Sequence, residues 1–115
     1  MSPPVKVDVQ IVNINVFENA CKACGFETEM LENDTLNFTR DDLYRTSTVS
    51  WNEEKNSYEI HSDSDDINKI KSELYPMYSA LQIEHDMKGN MNFDMSSFTI
   101  NRLANNNVVV EVEAY

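Results

Sequence analysis

Cys21-Lys-Ala-Cys24 holds the only two cysteines of the chain, at Cys-x-x-Cys spacing. Two thiols at that spacing suggest a redox dithiol or one half of a zinc site. A redox pair gains its reactivity at a helix N-terminus, where the dipole lowers the thiol pKa. Here Phe17, Ala20, Cys21 and Cys24 fall at i, i+3, i+4 and i+7, one face of a helix. Gly25 then stands where a left-handed residue ends the helix. Both thiols therefore belong to the last turns, where the dipole favours the neutral form. Zinc needs two further ligands. His61 and His85 are the only histidines, and neither is set as a second knuckle. The pair reads as core filling, a common fate of free cysteine, and no metal or cofactor is called for.

The densest run of carboxylates is Asp63, Asp65 and Asp66, with Glu53 and Glu54 nearby. Asp-x-Asp suggests calcium, but the loop lacks the glycine and terminal glutamate of an EF-hand. The five acids are taken as a surface for a basic partner, beside the plainer account of a helix cap with solvated charge. His85, between Glu84 and Asp86, is read as a boundary histidine on the apolar side of a helix. It has no nucleophile within reach of the pattern. Tyr44, Trp51, Tyr58, Tyr75 and Tyr78 lack the interleaved cations of a base-stacking platform and are read as core and rim aromatics. There is no Gly-rich phosphate loop, Ser-His-Asp order or paired-carboxylate motif. The expectation is a protein that is not an enzyme.

The elements that must hold these residues follow from periodicity. Val5, Val7, Val9 and Ile11 alternate with Lys6, Asp8 and Gln10, a half-buried strand over 5–12. Asn13 or Asn15 caps the first helix, and Glu18 stands three after Asn15 as in a capping box. Phe26, Thr28 and Met30 alternate with Glu27, Glu29 and Leu31 in a second strand. Leu36 and Phe38 suit a short strand, and 39–45 a loop or single helical turn. Val49 and Trp51, the turn 52–57, then Tyr58 and Ile60 make a hairpin. The acidic stretch 61–66 offers N-cap side chains. Ile67, Ile70, Leu74, Tyr78, Leu81 and His85 share one helical face. Pro76 interrupts it, so a kink or a split is expected there. Gly89 and Asn90 end this helix. A last hairpin runs from Ser97–Leu103 through Asn105–Asn107 into Val108, Val110 and Val112. The order β-α-β-(β)-β-β-α-β-β predicts an α+β fold, a mostly antiparallel sheet with two helices on one face. The opening β-α-β needs its strands parallel or separated by another strand.

At 115 residues the chain is expected to be a single domain, 1–115. No apolar run approaches the roughly 20 residues that span a bilayer, and Met-Ser-Pro-Pro does not open a signal peptide. Cytoplasmic residence is the expectation, in the host cytoplasm if the source is viral. Twenty acids against nine bases give a net charge of −11. That disfavours direct nucleic-acid contact and anionic membranes and suits a protein partner with a basic surface. With only two glycines, asparagine is placed to take left-handed turn positions. The asparagine-rich composition also suits an A/T-rich genome, many viral ones among them.

Taken together, Val5–Val12, the helix ending in Gly25-Phe26, Trp51 and Tyr58 across a turn, Tyr75 and Tyr78 in the second helix, and the two-stranded close at 98–115 form a pattern. It resembles a small conserved domain of unknown function found in plastid genomes, cyanobacteria and bacteriophages. The likeness spans nearly the whole chain and implies the fold, with no catalytic motif. Pro76 and Asn105–Asn107 depart from it, since an unbroken second helix and a Gly-containing turn would be usual.

The expected function is that of a small acidic, non-enzymatic binding protein. It would dock on a host or partner protein and inhibit a nucleic-acid-binding or defence enzyme, as a phage-encoded protein would. A thiol or metal protein using Cys21 and Cys24 is a second reading. A structural, self-associating subunit is a third.

Overall fold

The computed structural model describes residues 10–89, 92–103 and 108–114. Helix α1 (Ile14–Ala23) is followed by strands β1 (Glu27–Leu31), β2 (Thr35–Thr39), β3 (Ser47–Asn52) and β4 (Ser57–His61). Helix α2 (Ile67–Met87) and strands β5 (Phe93–Arg102) and β6 (Val108–Ala114) complete the order. Val5, Val7 and Val9 of the expected first strand, Asn90, and the Asn105–Asn107 turn lie outside the described residues.

The architecture is α+β with antiparallel pairing throughout, but the strands divide into two sheets. One is a four-stranded meander in the order β1-β2-β3-β4; the other is the hairpin β5-β6. The meander's pairing sets Thr28 opposite Phe38, Leu36 opposite Val49, and Val49 opposite Ile60. Because side chains alternate in a strand, Leu36, Phe38, Val49 and Ile60 share the face that meets the helices. Glu27, Glu29, Asn37, Thr48 and Glu59 share the other.

Helix α1 forms as its pattern predicts, with corrections at its start. Asn13 is the cap, its Oδ1 accepting from Asn15 and Val16 N–H at 3.1 and 3.2 Å. Asn15 lies inside the helix. Glu18 accepts from the Thr28 hydroxyl at 3.3 Å, so it ties α1 to β1 and closes no capping box. At the other end Gly25 has φ +83°. Phe26 N–H reaches the Cys21 carbonyl at 2.9 Å and Gly25 N–H that of Lys22 at 3.1 Å, a Schellman close. Phe17, Ala20 and Cys21 are fully buried.

Helix α2 runs unsplit through Pro76. Leu74 and Tyr78, buried on either side of it, hold the two halves against the core. Ser72, whose carbonyl loses its N–H partner to the ring, is exposed, so water can satisfy that group. Ile70, Leu74 and Tyr78 form the buried stripe, with Ile67 and Leu81 at its margins. His85 is exposed. It completes the spacing, but the last turns run past the core, so it is a solvated side chain.

Tyr78 is the deepest aromatic, 1% exposed, and tilts against Phe17. Its hydroxyl accepts from Val12 and Asn13 N–H at 3.0 and 3.2 Å and donates to Gln82 Oε1 at 3.1 Å. One oxygen thereby satisfies backbone donors at the entry to α1, 65 and 66 residues away in sequence. Ser47 is the contrast. Its Oγ is buried and has no partner among the described residues.

The hairpin β5-β6 keeps its expected alternation, with Val108, Val110 and Val112 half-buried and Val109, Glu111 and Glu113 exposed. Its register shifts between Asp94 and Thr99. Ser97 bridges the irregularity, accepting from Glu113 N–H at 2.8 Å and donating to the Asp94 carbonyl at 2.7 Å.

Two substitutions separate these cases. Tyr78→Phe keeps the ring but strands two N–H groups, and should cost about 1–3 kcal/mol in urea unfolding. Ser47→Ala removes an unpaired buried hydroxyl and should be neutral or stabilising, within about 0.5 kcal/mol of the parent or above it.

Candidate functional site

The meander decides which acids are neighbours. β1 and β3 run one way, β2 and β4 the other, so the β1–β2 and β3–β4 turns lie at the same end of the sheet. The turn midlines are two strand spacings apart, roughly 10 Å. In the first turn Asn33 and Asp34 have φ of 59° and 53°, the left-handed region that Asn and Asp tolerate. In the second, Asn52 Oδ1 accepts from Glu54 and Lys55 N–H at 3.0 and 3.3 Å, and Asn56 has φ 54°. Asparagine does take the turn positions that glycine often holds.

These turns leave Glu32, Asp34, Glu53 and Glu54 exposed together at one end. Asp34 reaches far enough across to add to the rise in the Tyr58 phenol pKa, whose first cause is burial. Lys55 is the one cation of the two turns, and it is engaged by Glu59 at 3.2 Å. Asn52 Nδ2 also donates to Glu59, at 3.0 Å. Asn52, then Lys55, hold the Glu59 carboxyl below its ordinary pKa.

The same end carries exposed apolar surface. Met30 is 41%, Leu31 39% and Trp51 40% exposed. Trp51 sits one pair from the second turn, edge-on to Tyr58 at 5.0 Å between centroids.

Of the five acids read from the sequence, only Glu53 and Glu54 lie here. Asp63, Asp65 and Asp66 lie beyond the far end of β4, so the single patch divides in two. The five residues of β4 separate the halves by roughly 13 Å. Asp66 leaves the surface altogether. It is 2% exposed, and its Oδ2 accepts from Tyr44 and Arg45 N–H at 2.9 and 3.4 Å. It stands at the N-cap of α2 but makes no side-chain cap bond. Asp63 starts that helix instead, its carbonyl accepting from Asp66 and Ile67 N–H, its Oδ1 from Asp65 N–H. Asp63 also lies 3.7 Å from Arg45.

That far end is where most cations of the meander are used. Arg40 pairs with Asp42 and Glu73, each at 2.6 Å, and Lys69 with Asp42 at 2.8 Å. Sequence reading missed both the Arg40 network and the joining of Glu32 and Asp34 to Glu53 and Glu54. The signal available for the second was the meander itself. Consecutive hairpins put alternate turns at one end, but the first hairpin was not resolved as a hairpin.

The thiol pair behaves as a junction. Cys21 is 0% exposed, and burial drives its thiol pKa strongly upward. Cys24 is half-buried. Its Sγ contacts the Glu73 carbonyl at 3.6 Å and receives Arg102 Nη2 at 3.0 Å. Burial raises its pKa while Arg102 opposes the rise. Among the described residues no group of three His, Cys, Asp or Glu side chains could hold a metal ion, and no helix is long and apolar enough to cross a membrane.

Cys21→Ala with Cys24→Ala should cost about 1–3 kcal/mol through lost packing, with thiol reagents slow to reach Cys21 in the native protein. The ion pairs give a pH test. Arg40, then Lys69, hold the Asp42 carboxyl well below the usual range. Its folded pKa is depressed, so its contribution is complete above the unfolded value. It is lost as pH falls toward the folded value, because there the unfolded chain binds more protons. Urea midpoints should therefore fall as pH drops below about 4, and Asp42→Asn should lower the midpoint at neutral pH while flattening that acid limb.

Compared with known proteins, the chain matches no family model, no curated protein and no solved structure.

Proposed function

We propose that this is a small acidic, non-enzymatic binding protein that docks the turn-bearing end of its meander on a basic protein surface. The observation that carries this reading is a coincidence of two features at one end. Exposed Trp51, Met30 and Leu31 stand beside Glu32, Asp34, Glu53 and Glu54. Interfaces are anchored by large apolar side chains, tryptophan above all, inside a polar rim. Charge around the anchor selects the partner and speeds its approach. With a net charge of −11, the partner surface that fits is basic, such as the nucleic-acid groove of a nuclease or other defence enzyme. Inhibition of such an enzyme, as a phage-encoded protein would exert it, follows from occupying that groove.

At the sheet edge formed by β1, Glu27 and Glu29 are both exposed. A second copy paired there would oppose like charges, which weighs against self-association through β1.

Affinity capture from a host lysate, read by mass spectrometry at low and high salt, tests the proposal. A specific partner should be recovered, and its yield should fall with salt. Glu53→Lys with Glu54→Lys should reduce capture at least about tenfold. Trp51→Ala should reduce it at every salt concentration. Asp65→Asn, at the opposite end, should leave it unchanged. Capture that is indifferent to salt and to the Glu53/Glu54 reversal would sink the electrostatic docking.

A further inference from the structure

The second hairpin stands apart from the core. No described residue of β5 or β6 belongs to the buried apolar cluster or packs against it. Phe98, Ile100, Val108 and Val110 are each half-buried, and none of the described hairpin residues is buried. The hairpin packs on α2. Ala80, buried on that helix but outside the core cluster, belongs to a separate packing site. One end of β5 is pinned as well. Arg102 Nη2 donates to Cys24 Sγ at 3.0 Å and to the Glu73 carbonyl at 3.1 Å. Arg102 is itself exposed, so water competes for these bonds. Few buried apolar contacts and solvent-exposed hydrogen bonds mark the low-stability end of a structure. A two-stranded hairpin is marginal at best by itself, so β5 and β6 keep their ladder only while they lie on α2.

We propose that β5–β6 is a strap, with Arg102 as its latch at the Cys24 end of α1. It releases from α2 as one unit while α1, the meander and α2 stay folded. The body does not depend on it, because Ile70, Leu74 and Tyr78 form their cluster with Phe17, Phe38 and Val49 and with no described residue of the hairpin. Release bares the half-buried Cys24 thiol and leaves Cys21 covered in the core. The two thiols of the Cys-x-x-Cys motif therefore answer differently to the state of the strap.

Amide exchange by NMR and timed thiol labelling of the full chain test this. The slowest amides of β5 and β6 should exchange at least about 100-fold faster than the slowest of β2 and β3. Cys24 should be labelled at least about 100-fold faster than Cys21. Arg102→Ala should speed exchange in both β5 and β6 at least about fivefold, and Cys24 labelling by a similar factor, with β2 and β3 unmoved. Arg102 lowers the Cys24 thiol pKa, so its loss would slow a thiol that was already accessible. Labelling that rises together with β6 exchange thus reports release. A single common exchange rate for all four strands would overturn the proposal. So would an Arg102→Ala variant that leaves β6 exchange unchanged, or one that speeds β2 and β3 equally.

Discussion

The Arg40 guanidinium meets the Cys24 carbonyl at 2.7 Å, both Glu73 oxygens at 3.4 and 2.6 Å, and both Asp42 oxygens at 2.6 and 2.8 Å. All five N–H donors of the group are used. Its plane lies 4.2 Å from the centroid of Phe26. Cys24 is the C-cap of α1, Phe26 precedes β1, Asp42 belongs to the β2–β3 loop and Glu73 to α2. One side chain thus fixes where α1 ends, where the chain enters the sheet and how α2 lies against both. Arginine suits the task because its fork matches two carboxylates at once and it is weakly hydrated, so partial burial costs less than for lysine.

This junction also shapes the surface. Arg40, Arg45 and Lys69 are drawn to the end of the meander opposite the hairpin turns, where they meet Asp42, Asp63 and Glu73. Among the described residues no ion pair engages Glu32, Asp34, Glu53 or Glu54. The field of the protein is therefore uneven. One end is a mixed, structural network; the other holds Lys55 as its one turn cation, already engaged by Glu59, and carries an exposed tryptophan. Structural need at one end leaves the four acids at the other without an ion pair among the described residues, and the asymmetry follows from where the cations are required.

Local periodicity made much of this fold legible in the sequence. The face Phe17, Ala20, Cys21, the stop at Gly25, the Trp51–Tyr58 hairpin and the stripe Ile70, Leu74, Tyr78 are each set by spacing within one element. The errors share a cause as well. The two acid groups were joined because they are close in sequence, yet a strand lies between them. Asp66 is expected in the acidic patch or as a helix cap, yet backbone donors from Tyr44 and Arg45 withdraw it. Arg40 could not be found by pattern, since its partners at 24, 26, 42 and 73 come from four separate segments. His85 kept the helical period but fell past the end of what the helix covers. Non-local pairing decides such matters, and a one-dimensional period does not encode it.

The Cys-x-x-Cys motif is explained by the same junction. Cys21 faces inward as one of the core residues, and its carbonyl receives Phe26 N–H in the Schellman close. Cys24 is the cap itself, and its carbonyl faces Arg40. Its sulfur lies against Arg102 at the end of β5, which also donates to the Glu73 carbonyl at 3.1 Å. Arg102 therefore ties the second hairpin to the place where Arg40 ties the helices. A thiolate at Cys21 would need its charge buried without a cation beside it, a cost that desolvation makes large. Both residues sit where small, weakly polar side chains let a helix end close against a second helix, and that steric demand is sufficient to account for their spacing.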